Sequence, residues 1–501
     1  MVYRIRLKAF KVEKEKGLIK KRLLRRIYSM TRHLTGKIIV LIQVVLSVML
    51  LITVYRSDML PQKYFIALTA LLAFLAVFNM LLQCLKSKIF ILGVILSILI
   101  SIVCVVGTVA VNYVVQLMES VVGRSYQIDN MVVVVKADDP AEDLQDLANY
   151  RFGTQDSADT DNTDKMVEDI ESNLGRDIKI QTYGNIQEEA EALLEGRVEA
   201  AIYNDAFSAV LEENIEDYAS KVKVIYQYGV EKSVETQVTE DADVQKPFNL
   251  YISGIDVDGP ITTTSRSDVN IIVSVNPKEH KILLITTPRD YYVTIPGVSG
   301  DQRDKLTHAG IYGIETSVAT LENLYNVDIS YYAKVNFSSL IRIVDALGGV
   351  DVNSPYEFTT PYKKYHIQKG MNHLNGDMAL GFARDRYSFA SGDNQRGKNQ
   401  EILLEAIINK AMSPAILRNM GSLISTLGDS VETNMGMDQM TQLINQQLSD
   451  GSAWTIESTA AVGAGDTQAC YSSGSQPLYV MWPNENSVNT ISEKIKELME
   501  E

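Results

Sequence analysis

The sequence predicts a multi-domain membrane protein: three transmembrane helices, then an α/β domain of modest size, then a larger α/β domain. Three observations carry that prediction. Three apolar runs free of Lys, Arg, Asp and Glu stand before residue 120. Short strand patterns then alternate with helical patterns up to residue 231. From Phe248 onward the strands become long and strongly apolar, and their ends carry carboxylates and arginines. A chain of 501 residues is also too long for one ordinary domain.

The apolar runs are residues 38–55, 64–85 and 89–117. Each approaches or exceeds the roughly 20 residues a helix needs to cross hydrocarbon. Runs this long and repeated fit a cleaved signal peptide poorly. Residues 1–37 are crowded with positive charge, including Lys20, Lys21, Arg22, Arg25 and Arg26, and the second short connection carries Lys86 and Lys88. The first connection carries Arg56 and Lys63, offset in part by Asp58. The positive-inside rule therefore puts residues 1–37 and the turn at Lys86 and Lys88 in the cytoplasm. Everything after Leu117 is then extracellular, in a multi-pass protein of the cell membrane. The basic tail reads as topogenic charge that also attracts anionic headgroups, with a nucleic-acid arm as the alternative.

The net charge of −15 belongs to the C-terminal three quarters, which lacks the basic footprint of a nucleic-acid binder. Cys84 and Cys104 lie in apolar runs and Cys470 stands alone. That distribution suggests neither a zinc site nor a disulfide scaffold.

Residues 121–231 read as an α/β accessory domain with parallel pairing. Residues 131–137 form a buried-strand pattern. Residues 140–148 suit a helix capped by Asp138 or Asp139, and 163–174 an amphipathic helix capped by Thr163. Strands follow at 177–182 and 198–203, with a helix at 186–194 between them; Asn204 and Asp205 start another helix. The stretch EALLEGRVEAAIYNDAFSAVL (191–211) resembles one lobe of a type II periplasmic solute-binding protein. Such lobes carry a polar or acidic position at the edge, where Asn204 and Asp205 stand here. A structural lobe and a ligand-binding lobe both fit. Residues 232–247 read as a polar, acidic linker.

Residues 248–501 carry the candidate site. FNLYISGID ends in Asp256, SRSDVNIIVSVNP sets Asp268 before an apolar run, and HKILLITTPRD ends in Pro288, Arg289 and Asp290. Ligand sites of α/β sheets gather where strand ends meet loops. Asp256 and Asp268 stand twelve apart across a turn with Gly259 and Pro260, which lets both carboxylates return to one place. Two such carboxylates suit a divalent cation, Mg²⁺ keeping water and phosphate oxygens as further ligands. A turn residue and a strand-entry residue are the plain alternative. The stretch ARDRYSFASGDNQRGKNQ (383–400) sets Arg384 and Arg386 two apart, on one face of an extended chain. It sets Arg396 and Gln400 four apart, on one face of a helix. Converging guanidiniums match phosphate or pyrophosphate oxygens bidentately; a solvated basic loop is the alternative. The remaining features read as structure. Residues 344–352 turn through Gly348 and Gly349 from helix to strand. Residues 338–346 form core or line a tunnel, His308 and His373 stand near turns with a ligand role as the lesser alternative, a helix spans 399–410, and 471–475 is a flexible loop.

The ordered set GIDVDG, SRSD, PRD, DKLTHA, VDALGGVDV, GMNHLNGDMALGFARDR and GDNQRGKNQ resembles the LytR–CpsA–Psr (LCP) family of bacterial cell-wall proteins, over about 250 residues from Phe248. The resemblance implies an α/β/α catalytic domain around a mainly β-sheet core, with a hydrophobic tunnel for a polyprenyl phosphate tail. It implies a phosphotransferase that moves a glycopolymer, teichoic acid or capsule, from a polyprenyl-pyrophosphate carrier onto peptidoglycan outside a Gram-positive membrane. By motif it assigns Asp256 and Asp268 to Mg²⁺, with Mn²⁺ as the alternative ion. It assigns Arg289, Lys305, Arg384, Arg386, Arg396, Gln400 and Asp393 to the substrate pyrophosphate, Asp393 orienting Arg396. Catalysis falls to Asp268, Arg289, Arg384 and Arg386. The implied partners are the lipid-linked polymer, peptidoglycan and the membrane, with no nucleic acid. Asn399 stands where the family often has a second arginine, Thr307 where asparagine is common, and Val269 where threonine is common. The central clamp survives these departures; one outer contact is put in question, with a consequence for donor preference.

Two further function classes fit the same sequence. One is a sensory or regulatory membrane protein whose lobe binds a solute or lipid, although the tail shows no helix-turn-helix pattern. The other is a polyprenyl-pyrophosphate-glycan hydrolase, in which water replaces the acceptor hydroxyl and the same arginines serve. No nucleotide-binding phosphate loop occurs, and none is needed when the donor pyrophosphate carries the energy.

Overall fold

The computed structural model describes residues 34–57, 60–85, 89–121, 126–233, 243–255, 261–361, 363–389, 392–413 and 431–500. Residues 1–33 of the basic tail, Lys86, Lys88, residues 234–242 of the linker and Asp256 lie outside them.

Three helices, Leu34–Arg56, Gln62–Cys84 and Phe90–Val121, coincide with the apolar runs and are long and apolar enough to cross a membrane. Leu50, Val54, Leu72 and Cys104 pack in the seam between them. Asn79 Nδ2 donates to Gln43 Oε1 at 2.8 Å across that seam. An amide facing lipid has no water to bond, so the pair is buried between helices.

Residues 126–233 build a five-stranded sheet in the order Lys179–Tyr183, Arg151–Gln155, Ala200–Asn204, Tyr126–Lys136, Val222–Ser233. The first three strands are parallel, but Tyr126–Lys136 is antiparallel to both its neighbours. Parallel pairing thus holds for part of the sheet only. Met131 to Val135 are all buried, so the strand needs cover on both faces and a partner on both edges, which either pairing direction supplies. Helix Ile186–Leu194 forms as expected, with Asn185 accepting from Glu188 N at 2.9 Å. Two caps differ from expectation. The amphipathic helix starts at Thr160, after Asp159 at φ 58°, and Thr163 bonds back to the Asp159 carbonyl at 3.1 Å instead of capping. Residues 140–148 hold only the 3-10 turn Leu144–Leu147, because Asp143 and Asp146 cap each other's backbone there.

The larger sheet has six strands in the order Val431–Thr433, Tyr331–Asn336, Phe248–Ile255, Ser267–Asn276, Lys281–Thr286, Thr455–Ala460. Side chains alternate across it. Tyr251, Ile272, Leu283 and Ile285 face helices Ile314–Tyr325 and Glu485–Glu500. Ile271, Val273, Ile282 and Leu284 face Leu404 and Ile408 of helix Asp393–Ala411. This is an α/β/α layering. Helices Phe337–Ala346 and Gly376–Arg384 add a further cluster, in which Val344, Phe382 and Leu403 are buried together. Gly348 and Gly349, at φ 76° and 84°, turn the chain from helix Phe337–Ala346 into strand Val350–Ser354, as expected.

Register brings the ends of three strands into line at one edge, and the chain beyond a fourth returns to it. Asn336 is opposite Ile255, Ile255 opposite Ser267, and Ile271 opposite Thr286. Asp268, Arg289 and Phe337 therefore stand at the edge where Phe248–Ile255 ends. Helix Gly376–Arg384 is fixed nearby by close packing: a Cβ on Gly376 would lie 2.3 Å from the Ile341 carbonyl oxygen. Gly376→Ala is expected to destabilise the protein by roughly 1–3 kcal/mol through overpacking. Thermal unfolding of the detergent-solubilised chain checks this, and an unchanged melting temperature would contradict the close approach.

Candidate active site

Asp268 enters one strand and Arg289 follows its antiparallel neighbour, so residues 21 apart in sequence meet. Arg289 Nη1 and Thr307 Oγ1 both donate to Asp268 Oδ1, each at 3.0 Å. Among the described residues none donates to Oδ2. Burial works to raise the Asp268 carboxyl, but the Arg289 and Arg266 charges and the two hydrogen bonds outweigh it and hold it below the ordinary carboxylate value.

Lys305 is enclosed rather than free. Its Nζ lies 2.8 Å from Asp290 Oδ1 and 2.8 Å from Glu213 Oε2, and its side chain is 4% exposed. The other oxygen of Glu213 lies 2.6 Å from Arg266 Nη1. Glu213 belongs to helix Ser208–Asn214 of the lobe. Sequence reading misses both Arg266 and Glu213. Arg266 carried a signal, two residues before Asp268 on a strand-like stretch. Glu213 carried none, being 92 residues from the lysine it meets.

The arginine stretch is built differently from expectation. Arg384 closes helix Gly376–Arg384, so Arg384 and Arg386 do not share the face of a strand. Asp385 stops the helix by accepting from Tyr387 N and Ser388 N at 3.0 and 3.1 Å. The Arg384 guanidinium lies over the Phe337 ring, 4.1 Å from its centroid. Phe337 follows a strand two removed from that of Asp268, which is about 10 Å at the usual strand spacing. Arg386 Nη2 donates to the Tyr387 hydroxyl at 2.6 Å. That bond, with the charges of Arg386 and Arg396, holds the exposed Tyr387 phenol below its ordinary value, so both arginines act on one hydroxyl.

Helix Asp393–Ala411 starts well before the expected residue 399 and carries Arg396 and Gln400 one turn apart. A Cβ on Gly397 would meet Thr286 Cγ2 at 3.4 Å, so this helix rests on the strand that leads to Arg289. Gln400 Nε2 donates to Ala383 O at 3.4 Å, beside Arg384. Asn399 turns inward: Nδ2 donates to Phe382 O at 3.2 Å and Oδ1 accepts from Gln395 Nε2 at 3.0 Å. It ties two helices together and is no outer contact. The Asp393 side chain lies outside the described residues.

The histidines remain structural. His308 is buried, with Nδ1 2.6 Å from Asp304 Oδ1 and 2.8 Å from Ser472 Oγ. Ser472 N also donates to Asp304 Oδ2 at 2.8 Å, so residues 471–473 form a packed 3-10 turn and not a flexible loop. His373 is exposed and paired with Asp351 at 2.7 Å. Among the described residues no group of three or more His, Cys, Asp or Glu is arranged for a metal. The donor chemistry fits Mg²⁺ in part, because Asp268 keeps Oδ2 for an oxygen-seeking cation while Oδ1 holds the protein together. Asp256 lies outside the described residues.

Fold and edge define a class: an α/β/α domain, carried behind three apolar helices, whose sheet edge gathers charged groups suited to a polyanion. The chain belongs to the LytR_cpsA_psr family, whose model matches residues 211–496, more than half of its length. A second family model, DNA polymerase processivity factor, matches residues 86–203, under a quarter of the chain, from the third apolar helix into part of the lobe. Polyisoprenyl-teichoic acid–peptidoglycan teichoic acid transferase TagU of Bacillus cereus is 36% identical over 214 residues, covering 42% of this chain and 68% of that protein. TagU of Halalkalibacterium halodurans is 32% identical over 278 residues, covering 55% and 88%. Among solved structures, B. subtilis TagV is 26% identical with a TM-score of 0.45, covering 51% of this chain and 98% of its own.

Asp268 titrates below its unfolded value, so the stability it contributes is present at neutral pH and is lost as pH falls below about 4, through the lowered folded value. Asp268→Asn removes that contribution at pH 7 and has little left to remove at pH 3. The gap in melting temperature between parent and Asp268→Asn should therefore narrow as pH falls from 7 to 3. A gap that widens in acid would reverse the assignment.

Proposed function

We propose that this protein is a phosphotransferase that moves a teichoic acid or related wall glycopolymer from a polyisoprenyl-pyrophosphate carrier onto peptidoglycan, outside the membrane. One observation carries the reading: Asp268, Arg289 and the Arg384–Phe337 stack share a sheet edge, in a chain whose relatives are named as such transferases. The charge of residues 1–37 supports a cytoplasmic N-terminus with both α/β units outside.

The donor is a pyrophosphate diester, so cleaving it builds negative charge on the transferred phosphoryl and on the departing polyprenyl phosphate. Arg384, Arg386 and Arg396 are the side chains we assign to those oxygens, with Gln400 beside them. Stacking on Phe337 fixes the Arg384 plane, which lowers the entropy lost when it forks onto a phosphate. Arg289, bonded to Asp268, stays charged throughout. Asp268 stays ionised at neutral pH and is the group that orients or accepts the proton of the acceptor sugar hydroxyl. The acceptor oxygen forms the new P–O bond as the bond to polyprenyl phosphate breaks. Asp268 and Asp256 are the residues that would hold Mg²⁺, which supplies additional neutralisation of phosphate charge.

The test incubates the full chain with a lipid-pyrophosphate-linked glycan, Mg²⁺ and peptidoglycan fragments, and detects the conjugate by mass. The parent should form it. Arg384→Ala should lose about tenfold or more in rate, equal to at least 1.4 kcal/mol of transition-state stabilisation. Undiminished rates in Arg384→Ala and Arg386→Ala together would remove the clamp from the mechanism.

A further inference from the structure

Among the described residues, Glu213 is a lobe side chain that reaches the charged groups of the catalytic edge. One oxygen takes Arg266 at 2.6 Å and the other takes Lys305 at 2.8 Å. A carboxylate bridging two cations in this way does what a phosphate would do with two of its oxygens. The two cations are almost closed off, with side-chain exposures of 13% for Arg266 and 4% for Lys305, while Glu213 itself is 26% exposed. An anion that is to pair with both cations would take the places these two oxygens hold.

The lobe holds this place through several independent bonds. Ile128 N donates to Thr262 O at 3.1 Å, and Thr264 N donates to Ile128 O at 3.3 Å. The Thr264 hydroxyl donates to the buried Asp129 carboxylate, which also lies 2.7 Å from Lys232 Nζ. The Tyr471 hydroxyl donates to Ser157 O at 2.7 Å. Residues 261–266, which lead into Asp268, are thus held by the lobe on one side and join the catalytic sheet on the other. Glu213 sits near the end of the short helix Ser208–Asn214, whose Val210 and Leu211 are buried in the lobe core while Glu213 faces the two cations.

We propose that Glu213 occupies Arg266 and Lys305 in place of a phosphate group and must leave them before a pyrophosphate reaches these cations. The lobe is then a gate whose closed form neutralises the cations and whose open form exposes them. By linkage, pyrophosphate and the docked form of helix Ser208–Asn214 oppose each other to the same extent. The apparent affinity for pyrophosphate is reduced by the fraction of molecules in which Glu213 is docked. The proposal rests on the pyrophosphate-clamp reading given above.

The probe is inorganic pyrophosphate, titrated calorimetrically into the full chain in detergent at fixed Mg²⁺. Glu213→Gln should bind it at least about threefold more tightly than the parent, because the competing charge is gone. Glu212→Gln, which removes the same charge one residue away, should bind like the parent. A Glu213→Gln affinity equal to or weaker than the parent's overturns the proposal, as does equal tightening by Glu212→Gln. A measurement on the unsubstituted chain guards against misfolded variants: saturating pyrophosphate should speed amide hydrogen exchange in residues 208–214, and unchanged or slowed exchange there overturns the proposal. Arg384→Ala separates the two readings. If the parent binds pyrophosphate and Arg384→Ala binds it several-fold more weakly, the clamp stands whatever Glu213 does. If Arg384→Ala binds like the parent, the clamp itself has failed.

Discussion

Asn336, Ile255 and Ser267 come into line through one parallel and one antiparallel pairing, and Thr286, opposite Ile271, ends a second antiparallel pairing so that the chain beyond it carries Arg289 back to Asp268. The site depends on that alignment. Side chains alternate with a period of two, so a slip of one residue in strand Ser267–Asn276 would turn Asp268 to the opposite face, the one lined by Ile282 and Leu284 of the neighbouring strand, and turn Ile271 and Val273 away from it. The apolar alternation on both sheet faces opposes such a slip. The core that stabilises the domain is therefore also what brings Asp268 and Arg289 within 3.0 Å.

Among the described residues, the buried charges at this edge are paired. Asp268 answers Arg289, Asp290 and Glu213 answer Lys305, and Glu213 also answers Arg266. Removing one partner from such a set leaves an uncompensated ion, which costs more than the pair contributes when intact. Arg384 and Arg386 are different in kind. Both are exposed, and each is steadied by an aromatic ring, Phe337 or Tyr387, instead of by a carboxylate. Rings orient a guanidinium without neutralising it, which keeps its charge for a ligand.

Much of the fold was legible from periodicity. The three apolar runs, helix Ile186–Leu194, the long strands from Phe248 and the Gly348–Gly349 turn all follow from spacing, length and backbone permissiveness. What failed was local and has local causes. Thr163 lost its capping role because Asp159, held at positive φ, let the helix begin at Thr160. The pairing direction of Tyr126–Lys136 was not readable, since an all-apolar strand is compatible with either direction. Arg384 was misplaced onto a strand because a two-residue spacing is equally available at the end of a helix.

The sequence alone determined the three long apolar helices, the order of the two α/β units and the residue types of the candidate site, because each of these is written in short-range composition and spacing. Tertiary structure decided which charges meet. Asn399, one residue from Gln400, turns inward to the Phe382 carbonyl, while Glu213, 92 residues from Lys305, turns out to be its partner. Contact between distant residues is set by the packing of whole layers, and no local pattern encodes it.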